Sequence, residues 1–269
     1  MTPPERILGL DFSGAVDAGR GIWLAEGQAD GSRLRVTDCR RAADLPGGGA
    51  AREPALAALR QYLSGLGAYA IGMDFPFSLH RSLVPERTLV ELLAVFAERY
   101  PTPEIFREAC RAAGSERALK RRCDLEARTP FAPHNLWLYR QTWHGIAALL
   151  APLSAAGARI LPVETPLGQK PWLLETCPAS ALKAAERYVP YKGRTSGHRA
   201  GRKAILDWLE AGGVSLESGV RRDTLLDDAG GDALDSVICA WIVWRAVNDP
   251  GRLLPALGPE HLVEGYVYY

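Results

Sequence analysis

The chain has 269 residues, 47% of them hydrophobic and 23% charged, with a formal net charge of +1. That size supports a large α/β domain with a substantial core, and the balanced charge excludes a general basic coat for nucleic acid. Five scattered cysteines (Cys39, Cys110, Cys123, Cys177, Cys239), with no Cys-x-x-Cys pair, argue against a disulfide framework and a structural zinc site. No charged segment followed by an apolar one opens the sequence, and the late apolar stretch Val237 to Trp244 is too short for a bilayer. A soluble cytoplasmic protein with no membrane partner is therefore expected.

Ile7 to Phe12 reads as a strand, followed by Gly21 to Glu26 and Leu34 to Arg40, with the turn signal Ala29-Asp30-Gly31-Ser32 before the third. Connections this short predict an antiparallel meander. Glu53 to Leu66 has helical apolar spacing at Leu56, Leu59 and Leu63. Tyr69 to Met73 follows as a fourth strand, parallel to an earlier one because a helix makes the crossover. From Val84 to Leu153 the pattern is helical, broken at Pro101, Pro103, Pro130 and Pro133. It reads as an insertion of approximately residues 84–153 within a single domain of residues 1–269. Arg159 to Val163 and Pro171 to Leu174 bracket Pro166-Leu167-Gly168-Gln169 and predict a hairpin. Cys177-Pro178 opens a helix, His198 to Ala211 and Asp232 to Val247 are two more, and Leu262 to Tyr269 reads as an edge strand.

Two of these strands end alike, in Gly9-Leu10-Asp11-Phe12 and Gly72-Met73-Asp74-Phe75. A carboxylate closing an apolar run is costly to bury without a partner. If the first and fourth strands are parallel neighbours about 4.8 Å apart, Asp11 and Asp74 stand side by side at the carboxyl edge, where open α/β sheets bind ligands. Asp232, Asp235, Ser236 and Cys239 form a stripe of short side chains that can approach the glycine-lined strand ends. Glu175, closing Trp172-Leu173-Leu174, is a further acid for the same edge. Clustered carboxylates repel one another unless a cation neutralises them, and all-oxygen ligation favours Mg2+ or Mn2+. Simpler roles stay open: Asp232 as a helix cap, Asp11 and Asp74 as turn initiators, Glu175 in the first turn of the next helix.

Tyr191-Lys192-Gly193-Arg194-Thr195-Ser196-Gly197-His198-Arg199, continuing to Arg202 and Lys203, reads either as a phosphate grip at a helix N-terminus or as a solvated turn. The basic stretch Arg117 to Arg122, interleaved with Asp124 and Glu126 and preceded by Glu116, reads as a salt-bridged helix surface. Trp137, Arg140, Gln141 and His144 share a side of the insertion helix and are candidates for a substrate cleft, although Trp137 and Trp143 suit a core and His144 a structural role. There is no Gly-x-Ser-x-Gly elbow and no Walker loop.

The segments Gly9-Leu10-Asp11-Phe12-Ser13-Gly14-Ala15, Gly72-Met73-Asp74-Phe75-Pro76, Glu175-Thr176-Cys177-Pro178, Tyr191-Lys192, Gly231-Asp232-Ala233-Leu234-Asp235-Ser236 and Glu264-Gly265-Tyr266-Val267 occur in this order over nearly the whole chain. As a set they resemble the domain-of-unknown-function 429 family, described as predicted nucleases of the ribonuclease H-like fold. The resemblance implies an α/β fold with a mixed five-stranded sheet, three antiparallel strands followed by two parallel ones, flanked by helices. It also implies two-metal hydrolysis of DNA or RNA phosphodiesters, with nucleic acid as partner and Mg2+ or Mn2+ as cofactor. Asp11, Asp74, Asp232 and Asp235 would then be metal ligands, Glu175 a further catalytic acid, and Lys192 or Arg194 a cation steadying the transition state. Ser13, Arg140, Arg194 and Arg199 are the candidate substrate contacts. Two alternatives compete. One is an ATP-dependent phosphotransferase of the actin and sugar-kinase type, using Asp11-Phe12-Ser13-Gly14 as a phosphate turn but lacking a glycine-rich adenosine loop. The other is a non-catalytic binding module that keeps the acids for structure.

Overall fold

The computed structural model describes residues 2–114 and 118–269. At its centre, among the described residues, is an eight-stranded mixed sheet flanked by helices. The strands are β1 (Arg6–Asp11), β2 (Trp23–Asp30), β3 (Arg33–Arg41), β4 (Tyr69–Asp74), β5 (Arg159–Leu161), β6 (Trp172–Thr176), β7 (Val214–Leu216) and β8 (Val267–Tyr268). Their order is β5-β6-β4-β1-β2-β3-β7, with β8 paired to β6. The expected meander is present, since β1, β2 and β3 are antiparallel neighbours, and β4 runs parallel to β1.

Three features differ from the sequence-based expectation. The sheet has eight strands where the resemblance implied five, because β5 and β8 pair in succession with the edge of β6 away from β4 and β7 extends the far edge beside β3. β5 and β8 fall within segments read as strands, Arg159 to Val163 and Leu262 to Tyr269; β7, three residues long, carries too few alternations to register as one. The expected hairpin of β5 and β6 is instead a parallel pair, in register from Arg159↔Trp172 to Leu161↔Leu174. The connection folds back along the strands: Glu164 accepts from the Ile160 backbone at 2.9 Å and from Arg159 at 2.8 Å, and Trp172 Nε1 donates to the Leu167 carbonyl at 3.1 Å. Thirdly, the helical pattern expected to resume after Pro133 begins as a helix only at Tyr139, which leaves Trp137 outside it and 79% exposed.

β1 and β4 are covered on both faces, which explains their nearly unbroken apolar runs. Leu8, Leu10, Ile71 and Met73 join a core closed by the helices Arg52–Ser64 and Leu89–Arg99. Ile7 and Ala70, one residue out of step, join the opposite core, under Ser196–Ala211 and Asp232–Val247. Gly9, Asp11, Gly72 and Asp74 share this second face. A Cβ on Gly9 would lie 2.0 Å from the Ser236 carbonyl oxygen and 2.3 Å from the Ala240 nitrogen. On Gly72 it would meet Val243 Cγ2 at 2.7 Å. The two glycines thus let the Asp232–Val247 helix rest directly on the strands that carry the two acids.

The helical region after β4 contains Leu89–Arg99, Pro103–Gly114, Arg122–Ala127 and Tyr139–Gly145. Thr88 and Glu91 cap the first reciprocally, with Glu91 N donating to Thr88 Oγ1 at 3.3 Å and Thr88 N to Glu91 Oε2 at 3.2 Å. Glu116 and Arg117, from the basic stretch read as a helix surface, lie outside the described residues. Arg121, from the same stretch, is not on a surface at all: it is 0% exposed.

Candidate active site

Asp11 and Asp74 are register partners on β1 and β4, the last residue of each strand. Asp11 is 6% exposed. The Asp232–Val247 helix begins just beyond them. Its N-cap is Gly231 in the left-handed region at φ +78°, so Asp232 is the first helical residue and not the cap. Asp232 and Asp235 fall in the first turn, where the helix dipole favours acids. Asp11, Asp74, Asp232 and Asp235 all line one cavity of about 530 Å3.

The loop before the Ser196–Ala211 helix supplies the cation. Lys192 Nζ lies 2.7 Å from Asp235 Oδ2 and 3.7 Å from Asp232 Oδ1. Tyr191 Oη donates to Asp235 Oδ1 at 2.8 Å, so Asp235 is held on both oxygens. Buried Arg202 fixes the loop by donating to the carbonyls of Tyr191, Gly193 (3.1 Å) and Leu226 (2.7 Å). Of the cations in the suggested phosphate grip, Lys192 therefore faces the cavity and Arg202 serves the backbone. Arg199 pairs with Asp227 at 2.7 Å and Asp223 at 3.4 Å, and Arg194 is exposed and outside the cavity wall.

Glu175, 3% exposed, sits on β6 beside β4 and lines the same cavity. Its oxygens are already engaged: Arg121 reaches both of them, one at 2.8 Å, and the Phe77 backbone nitrogen donates to Oε2 at 2.9 Å. Arg121 also forks onto Asp124, with Nε to Oδ2 and Nη2 to Oδ1 both 2.9 Å, and donates to the Glu264 carbonyl at 3.1 Å. Every donor direction of the guanidinium is met by an acceptor, the condition for burying that charge. Nothing in the alternation of charges around Arg121 distinguished it from its exposed neighbours, so the sequence did not reveal this partner of Glu175.

Gln141 Nε2 donates to the Asp74 carbonyl at 2.7 Å, tying the insertion to the end of β4. Ser13 lines the cavity and accepts from the Ala15 nitrogen at 3.2 Å. Arg140 and His144 turn to a separate cavity of about 780 Å3, where Arg140 pairs with Glu104 at 3.0 Å. The shared side proposed for Trp137, Arg140, Gln141 and His144 is therefore split. Cys177 also lines the acidic cavity, but burial pushes its thiol up to about 12, too high for a thiolate nucleophile at neutral pH.

Charge decides the character of the site. Burial and then repulsion from Asp235 push Asp11 well above the usual carboxylate range, with Lys192 opposing. Asp74 is raised by the same two causes, to about 7, with Lys192 opposing. Burial lifts Asp232 to about 6 and raises Asp235, against the pull of Lys192. Burial disfavours the Lys192 ammonium, but Asp235 and Asp11 outweigh it and keep the group charged. One lysine thus faces four aspartates. Among the described residues, no three His, Cys, Asp or Glu side chains are grouped so as to hold a metal ion. No helix among those residues is long and apolar enough to cross a membrane.

The model of the family "Protein of unknown function (DUF429)" matches residues 15–260, and the chain belongs to that family. The matched span contains Asp74, Glu175, Lys192, Asp232 and Asp235, and begins just after Asp11. No curated protein and no solved structure matches the chain.

Proposed function

We propose that the protein is a metal-dependent hydrolase of phosphodiester bonds, a nuclease built on a ribonuclease H-like sheet. The observation that carries this is the in-register pair Asp11 and Asp74 facing Asp232 and Asp235 across one cavity. The run β3-β2-β1-β4-β6, three antiparallel strands and then two parallel ones, supports the fold assignment.

The chemistry of the donors suits a hard divalent cation, around which the carboxyls would have to draw together, since among the described residues no three are grouped to hold one. The set is all carboxylate, and its acids are raised by burial and mutual repulsion, an imbalance a cation relieves. Asp11 and Asp74 would hold the ion, with Asp232 and Asp235 available once Lys192 moves from Asp235 to the substrate. When bound, Mg2+ or Mn2+ supplies Lewis-acid activation of the attacking water and neutralises charge at the phosphate. The chain does the rest. Lys192 offers its ammonium to a non-bridging phosphate oxygen, while Tyr191 keeps Asp235 oriented. Gln141 fixes the end of β4, and the Arg121 guanidinium, bonded to both Glu175 oxygens, opposes the rise that burial gives that carboxyl and keeps it out of the chemistry.

One observation favours a second, non-catalytic role for the acids: the 2.7 Å Lys192–Asp235 pair already neutralises part of the cluster. A panel of labelled DNA and RNA, incubated with Mg2+ or Mn2+ and with chelator, separates the two. Cleavage that needs the metal supports hydrolysis. No cleavage of any member, with calorimetry showing no metal bound, leaves the acids structural.

A further inference from the structure

We infer that this cavity takes an unpaired nucleotide, its base stacked on Phe131 and Tyr188, and rejects duplex; this rests on the proposed phosphodiester chemistry of the same site. Phe131 and Tyr188 both line the acidic cavity, yet they remain 41% and 52% exposed. Aromatic rings left half in water on the wall of a charged pocket offer a flat apolar face for a base. Tyr188 is tied to the acids: its ring packs edge-on against Tyr191 at 6.3 Å, and Tyr191 bonds Asp235. Lys183, whose Nζ is 5.4 Å from the Tyr188 ring centroid, adds a cation beside this platform for a phosphate. Phe131 is equally well placed, because Thr129 Oγ1 bonds both Asp124 Oδ1 (3.1 Å) and the Phe131 carbonyl (3.3 Å). The buried Arg121 network therefore holds the loop that presents Phe131.

Charge and size argue against duplex. Duplex affinity comes from neutralising many phosphates along two backbones. The cavity wall, among the described residues, has Lys183 and Lys192 as its cations and no arginine, and the chain as a whole carries only +1. A volume of about 530 Å3 suits one small molecule or a single extruded residue. Stacking supplies affinity without a basic track and is indifferent to sequence.

The test uses the full chain with Asp11→Asn to stop turnover. Anisotropy titrations compare a short fluorescein-labelled single strand with the matching blunt duplex, and nucleoside monophosphate competes for the same site. The single strand is expected to bind about ten-fold or more tightly than the duplex, and Phe131→Ala and Tyr188→Ala each to weaken it about ten-fold. Competition by the monophosphate supports a site filled by one nucleotide; no competition at any concentration tested overturns it. Duplex binding as tight as single strand overturns the inference, as does single-strand binding unchanged in Phe131→Ala/Tyr188→Ala with native circular dichroism. Failure of the hydrolase reading looks different: the wild-type protein binds single strand through these rings but cleaves nothing in Mg2+ or Mn2+.

Discussion

Asp11 and Asp74 stand opposite each other in register at the ends of two parallel strands, and the nearest cation, Lys192, is bonded to Asp235 rather than to either of them. Two neighbouring buried carboxyls so placed resist ionising together, and burial with the Asp235 charge raises both above the usual carboxylate range.

This arrangement fixes the sign of a pH effect on the metal-free protein. Asp74 is raised above its ordinary value by burial and by Asp235, so the folded state holds a proton that the unfolded state has released. Stability from this group is complete below pH 3.8 and is lost as pH rises through the higher folded value. In chelator, Asp74→Asn should therefore be more stable than wild type at pH 8, by on the order of 1–2 kcal/mol, with no advantage near pH 4. Urea unfolding at both values checks it, and saturating Mn2+ should narrow the gap at pH 8.

Arg121 carries a second prediction. Removing it leaves Glu175 and Asp124 buried and unpaired, so Arg121→Met should destabilise by about 3–5 kcal/mol. Arg121→Met combined with Glu175→Gln should recover part of that loss, since the amide no longer needs a counter-ion. Denaturant midpoints of the three proteins decide; equal losses in the single and double variants would mean that Arg121 acts through packing alone.

The glycines under the helix differ in a way that is measurable. At Gly9 a methyl group would lie 2.0 and 2.3 Å from backbone atoms of the Asp232–Val247 helix, whereas at Gly72 side-chain methyls of Val243 and Thr176 come first, at 2.7 and 2.9 Å, and helix backbone, the Cys239 carbonyl oxygen, only at 3.0 Å. Backbone cannot give way locally, so Gly9→Ala should cost about 3 kcal/mol or more and Gly72→Ala less, about 1–3 kcal/mol. Thermal melts of the two variants give the comparison, and a milder Gly9→Ala would contradict the close approach.

His144 predicts an acid-side effect remote from the aspartates. Burial, and then the Arg52 charge, lower it from 6.5 to about 4, and its Nε2 has no hydrogen-bond partner among the described residues. The unfolded chain binds this proton more readily, so stability falls as pH drops from 6.5 towards 4. His144→Phe should make that decline shallower, with His134, also lowered by burial, retaining part of it. Urea midpoints across the interval are the check, and an unchanged slope would count against it.

How much of this was legible in the sequence follows from how local each cause is. The repeated Gly-x-Asp-Phe ending marked β1 and β4, and the helical crossover between them announced their parallel pairing. The stripe of Asp232, Asp235, Ser236 and Cys239 marked the helix that covers them. Arg121 was misread because its burial depends on Glu175, 54 positions away, and on the Glu264 carbonyl, 143 away. Phe131 and Tyr188 gave no periodic signal, because they stand in loops that only the folded chain brings to one cavity. The β5–β6 pair was misassigned because Pro166 to Gln169 marks a turn without saying whether the chain then reverses or returns.

The rate of Mn2+-dependent cleavage of a single-stranded substrate, compared between wild type and Asp11→Asn at equal foldedness, is the most direct measurement. Metal-dependent hydrolysis by the wild-type protein, reduced about a hundred-fold or more in Asp11→Asn, is the predicted result. Cleavage that survives in Asp11→Asn, or that ignores chelator in the wild type, would contradict a metal-dependent site built on Asp11 and Asp74.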